Sequence, residues 1–229
     1  MEESNLLMNS FFSGGVRSLL ITILLTLPAV VLCLSVHETC HGLAAYALGD
    51  RTAANQGRLT LDPLAHIDPM GFICMLLLGF GWAKPVPVNS SNFKNRRLGM
   101  ALVAAAGPAS NFIMGVIGYL LYFAVATAAS GASGYLGLFA LVISQFFRYV
   151  ASLSVGLGTF NLIPVYPLDG YRVLDAFLPF RWSLKLQQYQ TYLLLAMIAL
   201  MWFGGTSILI GTVNGWIWNI AYRLFGLFA

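Results

Sequence analysis

Ser18-Leu-Leu-Ile-Thr-Ile-Leu-Leu-Thr-Leu-Pro28-Ala-Val-Val-Leu-Cys33-Leu-Ser-Val36-His37-Glu38-Thr39-Cys40-His41-Gly42 is an apolar run that ends in three ionisable side chains. The nineteen residues from Ser18 to Val36 carry no charge, close to the about 20 a helix needs to cross a bilayer. Pro28 is tolerated there as a kink. The pattern continues through His37–Leu48 and stops at Gly49-Asp50, a good helix terminus. On that helix His37 and His41 stand one turn apart on one face and can share a metal ion. Glu38 lies about 100° around the axis, within reach of a metal-bound water without ligating the metal. Two nitrogen ligands, an open position and a carboxylate base are the parts of a zinc hydrolase. Ionisable groups at the end of a membrane helix are costly and functional by default.

The whole chain agrees with a membrane setting. Of its 229 residues 59% are hydrophobic and 9% charged, with mean hydropathy +0.79, against roughly 25% charged in a soluble domain. A soluble enzyme, a coiled coil and a disordered chain are excluded. The net charge of +4 resides mostly in short loops, as orientation by positive charge requires, so nucleic acid is not an expected partner. Three cysteines, Cys33, Cys40 and Cys74, do not make a disulfide framework. Met1–Gly15 lacks the basic region and cleavage site of a removable signal, so the first apolar run is expected to stay in the mature protein.

Further apolar runs follow. Met70–Trp82 has thirteen residues, about 20 Å as a helix, and is expected to be short or re-entrant. Before it, Gly57–Leu61 alternates like a strand; after it, Lys84-Pro-Val-Pro-Val-Asn89 reads as extended because of its prolines. Leu98–Ala128 and Tyr135–Ile163 are full spans, and Leu186–Phe203 with Ile208–Ile220, split by Gly204-Gly205, read as a helical hairpin. The expected fold is an all-α polytopic membrane protein. It has five or six membrane-embedded helices, with a small β or re-entrant element between the first two long spans, in one domain over residues 1–229. If Met70–Trp82 does not cross fully, Arg51, Arg58, Lys84, Lys94, Arg96, Arg97, Arg172, Arg181, Lys185 and Arg223 all lie on one side, the expected cytoplasmic one. Arg148, inside an apolar run, is expected to snorkel to the interface.

A third metal ligand is needed. His66 is the one other histidine, and the carboxylates beyond the N-terminus are Glu38, Asp50, Asp62, Asp68, Asp169 and Asp175. Asp169 stands out in Asn161-Leu-Ile-Pro164-Val-Tyr-Pro167-Leu-Asp169-Gly170. Two prolines break the chain there beside a span, a break allowed where it lines a buried site.

These motifs together are similar to those of the site-2 protease family of zinc intramembrane metalloproteases. The resemblance rests on His37–His41 in a membrane helix, Gly107-Pro-Ala-Ser-Asn111, and Asn161…Pro164…Pro167-Leu-Asp169-Gly170. Gly57-Arg-Leu-Thr-Leu-Asp-Pro-Leu-Ala-His66-Ile-Asp-Pro69 and Gly81-Trp-Ala-Lys-Pro-Val-Pro-Val-Asn89 resemble the compact prokaryotic branch without PDZ or CBS domains. The resemblance implies one zinc ion per chain held by His37, His41 and Asp169, with Glu38 activating water. It implies cleavage of membrane-protein or transmembrane-peptide substrates in the bilayer of a prokaryotic plasma membrane, with the site toward the cytoplasm. Asn111 is expected near the substrate or the oxyanion, or else in close helix packing. Asn161 is expected to support the loop of Asp169, beside Gly170, and His66 to line the site or bond within its loop. The alternatives are a metal-ion transporter or a catalytically silent scaffold. A site of two histidines and a carboxylate also accepts iron, manganese or cobalt.

Overall fold

The computed structural model describes residues 6–71 and 83–227, and among them the regular structure is helical. Helix α1 spans Leu6–Ala47, interrupted at Gly15, where φ is +65°. Short helices α2 (Thr52–Asn55) and α3 (Pro63–His66) and a 3-10 turn at Ser90–Asn92 follow. Next come α4 (Arg96–Ala128) and α5 (Gly134–Asn161), then α6 (Asp169–Phe177) and α7 (Phe180–Gln188). Helices α8 (Gln190–Trp202) and α9 (Gly205–Phe225) complete the chain. Leu20–Ala47, α4 and α5 are each long and apolar enough to cross a membrane. The α8–α9 pair, bent by 72°, makes up to a fourth crossing. Five or six spans are therefore not found among the described residues, and most of Met70–Trp82 lies outside them.

Close packing of α4 against α5 depends on missing side chains. A Cβ on Gly115 would lie 2.4 Å from Val155, one on Gly118 would lie 2.9 Å from Ala151, and one on Gly158 would lie 3.1 Å from the Pro108 carbonyl. Small residues let helix backbones approach where no hydrophobic effect drives them together in lipid. Contacts fix the directions. Asn111 meets Ser154 while Gly118 meets Ala151, so α4 and α5 are antiparallel. His41 meets Val103 while Cys33 meets Asn111, so α1 is antiparallel to α4 as well.

Helix α9 runs parallel to α4. Tyr119 donates to Asn214, Phe123 stacks on Trp218 and Tyr222, and Phe225 lies beside Phe123. This corrects two expectations. The break at Gly204, in the left-handed region at φ +76°, turns the chain by 72° rather than reversing it, so α8 and α9 are not a hairpin. Arg223 consequently lies at the Ala128 end of the bundle, opposite Arg96 and the other basic loop residues. The thirteen residues of α8 reach only about 20 Å, which is why the direction of α9 settles the far terminus.

Gly57–Leu61 is not a strand. A strand needs a neighbouring backbone, and here side chains take that place. The Thr39 hydroxyl and His66 Nε2 both donate to the Thr60 carbonyl, at 2.6 and 2.7 Å, and the Arg58 amide turns back to Ala53. Among the described residues the one bridge is the isolated antiparallel pair Ile67–Ala83. It brings Ala83 to the end of the bundle where α1 terminates. Asp50, fully buried there, accepts from the Asn89 amide, the Asn92 side chain, and the amide and hydroxyl of Thr52. Burial pushes its carboxyl up, but these hydrogen bonds hold it below the ordinary carboxylate range. Residues 84–89 are thereby pinned beside α1 as the non-helical segment their prolines predict.

Candidate metal centre

Two helices and one loop converge at the basic end. His37 and His41 are buried on α1, and Asp169 opens α6. His37 Nε2 lies 3.0 Å from His41 Nε2 and 3.1 Å from Asp169 Oδ2, and His41 Nε2 lies 3.2 Å from the same oxygen. Hydrogen bonds on the far side of each ring decide what these atoms present. The Val103 carbonyl only accepts, so His41 Nδ1, 2.7 Å away, donates to it. Asn111 spends its amide nitrogen on Ser154 Oγ at 2.9 Å, and Ser154 in turn donates to the Asn111 carbonyl. Its side-chain oxygen, 2.6 Å from His37 Nδ1, therefore accepts from that ring. Both neutral imidazoles thus carry their proton on Nδ1 and offer bare lone pairs at Nε2.

Burial pushes the Asp169 carboxyl up. Hydrogen bonds and positive charge on the His37 and His41 side bring it down to about 2; with both rings neutral and bare at Nε2, that positive charge has to come from a cation held between them. Three lone pairs then face one another, an arrangement that repels unless a cation sits among them. Tetrahedral ligands at zinc distances of about 2.0–2.2 Å stand about 3.3–3.5 Å apart, close to the triangle seen here. The donor set fits one divalent ion, and no other group of three His, Cys, Asp or Glu among the described residues does.

Local structure explains the placement. A Cβ on Gly170 would lie 2.2 Å from the Leu162 carbonyl, so glycine lets α6 start directly against the end of α5. Arg97 of α4 donates to the carbonyls of Asp175 and Leu178 and pairs with the Asp175 carboxylate, clamping the far end of α6. Gly107, in α4, sits against the ligands themselves: a Cβ there would be 2.5 Å from His41 Nε2 and 2.7 Å from His37 Nε2. Gly107→Ala, although alanine favours a helix by about 1 kcal/mol, should weaken zinc binding by about 10-fold or more. Competition against a chelator measures it, and unchanged affinity would refute the steric reading.

Glu38 stands outside the triangle. Its carboxylate accepts from the Val86 amide at 3.0 Å, and the two share a cavity of about 170 Å³ with the three ligand residues. Pro85, Val86 and Val88 form one wall of it; Asn161, Pro167 and Arg172 contribute from the α5–α6 side. Arg172 had no site role in the sequence reading; its signal there is the helical spacing of three from Asp169. Asn111 lies behind His37, fully buried, does not line the cavity, and orients the ring. Asn161 lines the cavity, but its amide donates back to Leu157 in its own helix instead of bracing the loop. His66 is buried in its loop against Thr60 and Thr39 and does not line the cavity. Gly170, beside Asp169, packs against the Leu162 carbonyl.

The model of peptidase family M50 matches residues 137–204. A Bacillus subtilis (strain 168) protein named "Putative zinc metalloprotease YwhC" is 43% identical over 163 residues, which cover 71% of this chain and 73% of that protein. A Mycobacterium tuberculosis (strain ATCC 25618 / H37Rv) protein named "Putative zinc metalloprotease Rip2" is 29% identical over 204 residues, covering 86% and 71%. No solved structure matches the chain significantly.

Proposed function

The chain belongs to peptidase family M50, the site-2 proteases, and from that premise we propose that it is a zinc-dependent endopeptidase that cleaves membrane-protein substrates in or near their transmembrane segments. The observation that carries the reading is the triangle of His37, His41 and Asp169 with Glu38 beside it in one cavity. A bound zinc would lower the pKa of a water molecule and polarise the scissile carbonyl. The chain's own groups do the rest. His37 and His41 are fixed in one tautomer by Asn111 and the Val103 carbonyl. Glu38, steadied by the Val86 amide, takes the proton of the attacking water and returns it to the leaving amine.

The wall of Pro85, Val86 and Val88 suits an extended apolar peptide. A transmembrane helix cannot present its carbonyls to such a wall until it unwinds, because its backbone groups are bonded within the helix. In this reading residues 1–229 form one membrane-embedded protease unit. Nine of the ten loop and terminal arginines and lysines gather at the site's end, which supports a cytoplasmic-facing site in a plasma membrane.

The test uses the full chain in liposomes with a fluorescent transmembrane peptide. Cleavage should cease with a chelator and return with zinc. A glycine near the scissile bond, which destabilises a helix by about 1 kcal/mol, should raise the rate about 5-fold if unwinding limits it. Zinc-independent cleavage, or indifference to the helix-breaker, would count against the respective part of the reading.

A further inference from the structure

We propose that Arg172 stabilises the negative charge that develops on the scissile carbonyl oxygen. The inference deepens the endopeptidase reading and rests on it. In that reaction the water oxygen bonds to the carbonyl carbon, the water proton moves to Glu38, and the carbonyl π pair moves onto its oxygen. The carbon–nitrogen bond then breaks as the proton passes to the amine. Net charge in the cavity is constant through the first step, but negative charge leaves Glu38 and appears on the carbonyl oxygen. A fixed cation near the destination therefore favours the transition state over the ground state.

The cavity offers few groups for that task. Asn111 is buried behind His37 with its amide nitrogen committed to Ser154. Asn161 donates to the Leu157 carbonyl. Among the described residues that line the cavity Arg172 is the one cation, and among the described residues no carboxylate pairs with it. It stands on α6 one turn beyond Asp169, whereas Glu38 is tied to the opposing segment through Val86. Base and cation thus belong to different walls. A helix whose first residue is a metal ligand and whose far end is clamped by Arg97 is a rigid mount for a guanidinium. Its exposure ends when a substrate covers the cavity mouth, which strengthens the interaction by excluding water.

Arg172→Gln should lower kcat by about 10²–10³-fold with KM changed little and one zinc per chain retained; Arg172→Lys should keep part of the rate. A second readout needs no turnover. Binding of a phosphinic peptide, an anion with tetrahedral geometry, should weaken about 10²-fold in Arg172→Gln. Binding of the uncleaved peptide, measured in a Glu38→Gln background, should be unaffected by the same change. An unaltered kcat, or equal weakening of both ligands, overturns the proposal. A zinc-loaded wild type that cleaves no peptide overturns the endopeptidase reading and this inference with it, whereas an active wild type matched by Arg172→Gln overturns this inference alone.

Discussion

Replacing Glu38 by glutamine is expected to lower kcat by about 10²–10⁴-fold while one zinc per chain remains bound. Two observations separate the losses. Glu38 contributes no atom to the triangle of His37, His41 and Asp169, so the metal keeps its three ligands. Its contact with the Val86 amide is one in which it accepts, and a glutamine oxygen accepts equally well, so the cavity wall stays in place. Only proton transfer is removed. Metal analysis of the purified variant, beside cleavage of a peptide in liposomes, gives both quantities. Joint loss of zinc and activity would make Glu38 a ligand; full activity would remove it from the chemistry. The same variant separates a hydrolase from a transporter, because metal movement has no use for a general base.

Asp169→Ala should reduce zinc affinity by about 10²-fold or more, beyond what loss of an outer hydrogen bond costs, and abolish cleavage with it. The carboxylate supplies the charge that offsets the metal's own, and without it the two bare Nε2 atoms, 3.0 Å apart, are left facing each other. A proton on one of them then competes with the metal, so the residual affinity should fall further as pH drops. Asp169→Asn, which keeps the size of the side chain but not its charge, isolates the electrostatic part. Titration against a chelator of known affinity measures both. Zinc held as tightly as in the wild type would assign Asp169 a structural role and leave the third ligand to be found elsewhere.

The part of this site legible in the sequence is the part written in local spacing. His37 and His41 declare themselves because a four-residue step on a helix is a fixed geometry. Asp169 is legible because prolines beside a span are costly unless the break has a purpose. For Asn111 the sequence leaves a substrate contact and helix packing both open: nothing in Gly107-Pro-Ala-Ser-Asn111 tells which side of the histidines α4 approaches, and the side decides between orienting a ring and meeting a substrate. Gly107 depends on the same unknown, since its lack of a side chain matters only because His37 and His41 press against it.

The misread strand at Gly57–Leu61 has a similar origin. Its alternation is real, but the groups satisfying its backbone are the side chains of Thr39 and His66, whose proximity no periodicity encodes. The course of α8 and α9 was lost for a third reason. Gly204-Gly205 marks a break, and a break without tertiary contacts fits a reversal and a 72° turn equally well. The aromatic seam of Tyr119, Phe123, Trp218 and Tyr222 settles it, and with it the side on which Arg223 lies.

The order in which the ligands appear along the chain bears on how a cell makes this enzyme safely. His37 and Asp169 are 132 positions apart, and α4 and α5 lie between them. During synthesis the first helix enters the bilayer carrying both imidazoles and the proposed general base, yet the candidate metal site stays one ligand short. It is completed only after α4 and α5 have been laid down and the loop beyond them has folded back. A ribosome-bound fragment therefore holds most of the proposed catalytic parts and none of the activity, so proteolysis waits until the protease is itself assembled.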